Sequence, residues 1–193
     1  MFGCTFLFIK KVGNPQIDGP AVYCANHTSY MDIPTLFLTV PGFFKIIGKA
    51  ELNKAPLFGF YFKRVYISVD RKDSQSRYQA YLDCVNTVKN GDSIVFFPEG
   101  TIPRDGAPQM INFKDGPFKT AIENQVPIVP VTLPYNWIIF PGSTISTWAT
   151  WKRPYAEFHE PISTIGMTVE NDLESLKQQT FDVISKGIEK YNS

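Results

Sequence analysis

The sequence predicts a single α/β domain built on a mostly parallel mixed sheet with helices on both faces. Two stretches carry that expectation. The apolar run at residues 21–25 passes straight into Asn26-His27-Thr28-Ser29-Tyr30-Met31-Asp32, and the run at 93–97 passes straight into Pro98-Glu99-Gly100-Thr101. Short, continuously apolar runs read as buried strands, and polar clusters at their ends mark one crevice at the carboxyl edge of a parallel sheet. Between them, Tyr78, Tyr81, Val85 and Val88 recur at the spacing of a helix that covers such a sheet. At 193 residues the chain suits one substantial domain, taken as 1–193, and is too short for two comfortable ones.

The elements follow in order. After a proline-rich approach, residues 21–25 form a strand, and 33–40 form a buried helix that tolerates Pro34 in its first turn. Pro41-Gly42 ends it, and 43–47 form a second strand that delivers Gly48-Lys49. The aromatic stretch 57–62, with Lys63 and Arg64 after it, reads either as core with a solvated end or as a lipid-interface contact. A strand at 65–69 hands over to Asp70-Arg71, and a surface helix at 76–90 stops at Gly91. The loop at 102–115 is long enough to shape a substrate entrance. A helix at 118–125, a strand at 128–133 and a late edge strand at 155–160 follow. Residues 134–151 lose periodicity while carrying Tyr135, Trp137, Phe140, Trp148 and Trp151, which suit either core packing or a lipid-facing rim. Thr168 is placed to cap a C-terminal helix at about 169–191, with Leu173, Leu176, Ile184, Ile188 and Tyr191 on one stripe.

Composition excludes several function classes. A net charge of +1 with 19% charged residues gives no electrostatic footprint for nucleic acid, so any basic site is local. Cys4, Cys24 and Cys84 are an odd count without close pairs and read as core thiols in a reducing compartment. With His27 and His159 as the histidines available, no metal site is expected. The apolar stretch at 2–9 falls well short of the ~20 residues that cross a bilayer, and its cations, Lys10 and Lys11, follow it where a secretory signal needs them in front.

A histidine at a strand end with a carboxylate five positions on is what a base and its orienting partner look like in sequence. On one continuous helix five residues advance about 500°, which would point the two side chains apart. They meet only if His27 lies in the turn and Asp32 in the first helical turn, with Thr28 or Ser29 as N-cap. The plainer alternative is a histidine satisfying a buried turn and a carboxylate favoured at a helix start.

NHTSYMD and FPEGT, in this order and about 70 residues apart, resemble the family of lysophosphatidic acid and glycerol-3-phosphate acyltransferases. Gly48-Lys49-Ala50-Glu51-Leu52 with Pro56, Gly59 and Val69-Asp70-Arg71 resembles the family's second block, and Val126-Pro127-Ile128-Val129-Pro130-Val131 its fourth, so the motifs span 26–131. The resemblance implies an O-acyltransferase that moves a fatty acyl group from an acyl-CoA or acyl carrier protein thioester to a lysolipid hydroxyl, most directly that of 1-acyl-glycerol-3-phosphate. It implies a glycerolipid acyltransferase-like fold, no metal, no resident cofactor and peripheral binding at the cytoplasmic face of a membrane. His27 would be the base and Asp32 its orienter, Lys49 and Arg71 would bind the acceptor, and Glu99, Gly100 and Thr101 would hold its glycerol part. Glu99 is expected to accept from an acceptor hydroxyl or from a cation, since like charges keep it from phosphate.

Two departures matter. The family commonly follows FPEGT with arginine, where this chain has Ile102, leaving Arg104 or Lys114 to compensate or the acceptor to be a non-phosphate, amino-acid-derived lysolipid. Relatives often carry hydrophobic helices before the histidine block, so the chain is either a short form or lacks an N-terminal membrane element. Ser29 is better explained as a cap than as a nucleophile, because no G-x-S-x-G elbow is present. Backbone amides near Gly100 or after His27 are the expected oxyanion donors. A lipid or thioester hydrolase and a non-catalytic lipid-binding protein are the competing readings.

Overall fold

The strands β1 (Lys10–Val12), β2 (Val22–Ala25), β3 (Phe44–Lys49), β4 (Tyr66–Val69), β5 (Ser93–Phe96), β6 (Ile128–Thr132) and β7 (Tyr155–Phe158) join in one sheet, in the order β1-β7-β6-β2-β5-β3-β4. This computed structural model describes residues 9–49, 64–103, 107–140 and 152–192. Strands β2 to β6 run parallel, β7 pairs antiparallel with β6, and β1 lies parallel to β7 at the edge. Every residue of β2 and of β6 is buried, as expected of strands covered on both faces.

Successive side chains alternate across the sheet and feed two cores. On one face Val22, Cys24, Ile94, Phe96 and Ile128 pack against three helices, α2 (Ser74–Lys89), α3 (Gly116–Asn124) and α5 (Val169–Asn192). On the other, Tyr23, Ile46, Val95, Val129 and Val131 pack with Leu36 of α1 (Asp32–Thr39). The stripe expected on the C-terminal helix supplies the buried Leu176, Ile184 and Ile188. That helix lies so close to β6 that a Cβ on Gly187 would sit 2.3 Å from Thr132 Oγ1.

Strand β2 leads into α1 on one face, and β5 leads into α3 on the other. The chain therefore diverges between two adjacent parallel strands, the arrangement that opens a crevice at their carboxyl ends. His27 and Glu99 stand at those two ends.

Local chemistry sets the boundaries. Asp73 caps α2 by accepting the Gln75 and Ser76 N–H groups at 3.1 Å, and Gln125 ends α3 in the left-handed region at φ 52°. Three expectations change. The strand at 155–158 is not at the edge, because Lys10–Val12 adds outside it. This three-residue strand has no alternation to read; it is held partly by Lys10 and Lys11, whose ammonium groups lie 5.2 and 4.9 Å from the Tyr155 and Phe158 ring centres. Neither Thr28 nor Ser29 is the N-cap of α1, which is Met31 without a side-chain cap. Inside the aperiodic stretch, a short helix α4 forms at Asn136–Ile139. Cys4, the aromatic stretch 57–63, Arg104, Trp148 and Trp151 lie outside the described residues. Among the described residues no helix is long and apolar enough to cross a membrane.

Candidate active site

The turn after β2 brings the predicted pair together. His27 Nδ1 lies 2.9 Å from Asp32 Oδ2, with Asp32 fully buried and the His27 side chain 12% exposed. Asp32 opens α1 and reaches backward, so its Oδ2 also accepts the Thr28 and Ser29 N–H groups at 2.7 and 2.8 Å. Asp32 thus serves the amides of the turn that precedes the helix, three and four residues upstream of its own position. Ser29 Oγ is committed elsewhere, donating to the Phe140 carbonyl at 2.5 Å and accepting the Met31 N–H at 2.9 Å. A nucleophile needs a base beside it, and the His27 atom with a partner faces Asp32. The imidazole stacks on Phe97 with ring centres 3.9 Å apart, which fixes its plane.

Glu99 is the second buried carboxylate, 1% exposed. Its Oε1 accepts the His27 N–H at 2.8 Å and its Oε2 the Ile111 N–H at 3.1 Å. Its partners are thus backbone amides, where the sequence pointed to an acceptor hydroxyl or a cation. It ties the histidine turn to the loop at 102–115 through Ile111. Burial pushes this carboxyl up to about 7; the two amides pull it down, and the nearby Asp32 charge adds to the rise. Gly100 occupies φ 73°, closing the Phe97-to-Gly100 turn through its N–H to the Phe97 carbonyl at 2.9 Å, a conformation that favours glycine.

Beside this pair lies a crevice of about 600 Å³ at the carboxyl ends of β3, β4 and β5. Arg71, Glu99, Gly100 and Thr101, four of the predicted residues, line it together with Lys114 and Arg77. Apolar side chains, among them Ile47, Val69, Phe96 and Phe97, make much of its wall. Arg77 is anchored by donating from Nη1 to the Arg71 carbonyl at 2.9 Å. Lys49 ends β3 opposite Val69, two residues before Arg71, which places its backbone at the same rim. His27 reaches the crevice through Phe97, whose ring is shared between the imidazole and the wall. Cys84 also lines the crevice, and burial pushes its thiol pKa upward, so it remains a neutral apolar group. Among the described residues no group of three or more metal-ligating side chains is assembled.

The residues that sequence reasoning missed lie in the segment 133–140. Asn26 exchanges two hydrogen bonds with the Leu133 backbone at 3.1 and 2.7 Å, and Ser29 reaches Phe140. Asn136 Nδ2 donates to Asp32 Oδ1 at 2.9 Å and to Thr35 Oγ1 at 3.2 Å. No pattern announces a contact across 104 residues by a single asparagine. Four of the amides near the expected oxyanion positions are engaged. The amides of His27, Thr28 and Ser29 serve the two carboxylates, and that of Gly100 closes its turn.

Comparisons with known proteins place the chain among named relatives. The chain is 38% identical over 120 residues to a chloroplastic 1-acyl-sn-glycerol-3-phosphate acyltransferase of Arabidopsis thaliana, covering 62% of this chain and 33% of that protein. It is 35% identical over 124 residues to the 1-acyl-sn-glycerol-3-phosphate acyltransferase of Escherichia coli, covering 63% and 50%. The chain thus spans about a third to a half of the length of these relatives. The crystal structure of the 1-acyl-sn-glycerophosphate acyltransferase PlsC from Thermotoga maritima superposes with a TM-score of 0.80 at 26% identity, over 96% of this chain and 72% of that one. The family pattern described as Acyltransferase matches residues 9–134, from β1 through the histidine turn and FPEGT to just past β6, and the chain belongs to that family.

Proposed function

We propose that this chain carries the catalytic unit of an O-acyltransferase that moves a fatty acyl group from a thioester, acyl-CoA or acyl carrier protein, to the free hydroxyl of a lysophospholipid, most directly 1-acyl-glycerol-3-phosphate, giving phosphatidic acid. The observation that carries this reading is the 2.9 Å contact between His27 Nδ1 and a fully buried Asp32 carboxylate beside a cation-lined, largely apolar crevice. The names of its relatives supply the substrate class.

In this reading Asp32 holds the proton of the neutral imidazole on Nδ1, leaving Nε2 to accept the proton of the acceptor hydroxyl as that oxygen attacks the thioester carbonyl. The carbon–sulfur bond breaks as the tetrahedral intermediate collapses, and the imidazolium returns the proton to the departing thiolate. No acyl-enzyme is needed, because a thioester already carries a good leaving group. Arg71 and Lys114, with Lys49 at the rim, attract the acceptor phosphate, and the missing arginine at Ile102 is offset by Lys114 and Arg77. The oxyanion is left to donors along the crevice. Tyr30, 61% exposed in the turn after His27, favours action at a membrane surface, its cytoplasmic face in this reading.

The test is acyl transfer by the purified protein. Acyl-CoA and acyl carrier protein thioesters are supplied in turn against phosphate and non-phosphate lysolipids, with His27→Ala as control. Acceptor-dependent product that disappears in the variant supports the proposal and names the head group. Thiol release without acceptor, or turnover indifferent to His27, overturns it in favour of a hydrolase or a binding protein.

A further inference from the structure

Asp32 uses its two oxygens very differently. Oδ2 collects three donors, the His27 imidazole and two amides, whereas Oδ1 receives the side chain of Asn136. The terminal torsion of an aspartate is soft, so donors gathered on one oxygen leave the carboxylate free to swing about it. A hydrogen bond to the second oxygen fixes the plane, and with it the line along which Nδ1–H must point.

Asn136 is built for this at a cost. It is fully buried, and both hydrogens of its amide are used, one on Asp32 Oδ1 and one on Thr35 Oγ1. Thr35 Oγ1 is itself held by donating to the Met31 carbonyl at 2.7 Å. The opposite flip of the amide would press its oxygen against a carboxylate oxygen, so the acceptor dictates the orientation. In that orientation Asn136 Oδ1 is buried without a hydrogen-bond partner. A group retained only for packing would not leave an orphaned oxygen in the interior, because such an oxygen is costly. The amide is kept for its donor end.

We infer that Asn136 is a positioning residue for the catalytic pair: from the segment that follows β6 it locks the Asp32 carboxylate plane, and thereby the tautomer and direction of His27. This rests on the assignment of His27 and Asp32 as base and orienter.

The experiment compares wild type, Asn136→Ala and the isosteric Asn136→Asp, alone and in an Asp32→Ala background, by steady-state acyl transfer and by proton NMR of the downfield His27 Nδ1–H resonance. That resonance is assigned by its loss in His27→Ala. The expected results are a fall in kcat of roughly 10- to 100-fold with KM for both substrates little changed, as for loss of one charge-assisted hydrogen bond. Little further loss should appear when Asp32 is already absent, and the imidazole resonance should shift or broaden. Asn136→Asp, which puts two carboxylates within hydrogen-bond reach, should recover part of its loss at lower pH, where the pair holds a proton and can again donate; Asn136→Ala should not. An unchanged kcat and resonance in a folded variant overturns the inference, as does an equal loss in the Asp32→Ala background. If the wild type transfers no acyl group, the proposed reaction fails, and the resonance still decides whether Asn136 positions His27.

Discussion

The two strand ends at the crevice each bury a carboxylate within contact of the same histidine, and they use it in opposite ways. After β2, Asp32 is fully buried and meets the imidazole itself, with two amides and Asn136 completing its partners. After β5, Glu99 is 1% exposed and meets two backbone amides, one of them that of His27. One carboxylate aims a side chain, and the other pins a chain path. In the proposed reaction the first belongs to the chemistry and the second to the architecture that holds it. Charge alone would not distinguish them; the identity of the donors does.

That contrast orders the expected effects of substitution. His27→Ala should lower turnover by roughly 10² to 10⁴ while leaving the fold intact, since it removes the general base from a partly exposed position; rate and circular dichroism measured on one sample check both halves. Asp32→Ala should cost turnover on a similar scale and destabilise as well, by about 2–4 kcal/mol, because four donors, the His27 imidazole, the Thr28 and Ser29 amides and the Asn136 side chain, lose their carboxylate partner. Denaturant midpoints measured beside rates would show whether the two losses travel together. Glu99→Gln should do the reverse of His27→Ala. An amide can satisfy one of the two N–H groups but turns its own donor on the other, so stability should fall by about 1–3 kcal/mol, with a smaller loss of rate than either catalytic-turn variant.

The same carboxyl gives a pH signature. Its ordinary value of 4.5 is raised to about 7 by burial, so between those values the unfolded chain has released the proton that the folded chain keeps. The contribution is fully present below pH 4.5 and is lost as pH rises through 7. Wild type should therefore lose stability relative to Glu99→Gln across that window, and unfolding at pH 4.5, 6 and 8 measures the difference. Gly187→Ala, far from both carboxylates, should destabilise by about 1–3 kcal/mol through overpacking against Thr132 and leave the rate of the folded enzyme unchanged.

Much of this was legible in the sequence, for reasons that differ by element. Strands β2, β5 and β6 could be read because burial on both faces leaves a continuous apolar run. The meeting of His27 with Asp32 could be read because five positions across a turn permit few geometries. Strand β1 could not, since Lys10-Lys11-Val12 is three residues long and gains its place from Tyr155 and Phe158 in a distant strand. The role of Glu99 could be read only in part: FPEGT marks the position, but backbone donors from residues 27 and 111 belong to the tertiary fold. Asn136 was invisible for the same reason, standing in a stretch without periodicity and meeting Asp32 only because β6 pairs with β2.

The histidine turn also has a consequence for its own hydrogens. Three consecutive amides, those of His27, Thr28 and Ser29, lie in no strand or helix, yet each is closed by a buried carboxylate. In deuterated solvent they should exchange as slowly as the strand beside them, although loops ordinarily exchange first. Glu99 holds the His27 amide on one oxygen and the Ile111 amide on the other, so a movement that withdraws this carboxylate should speed exchange at residues 27 and 111 together.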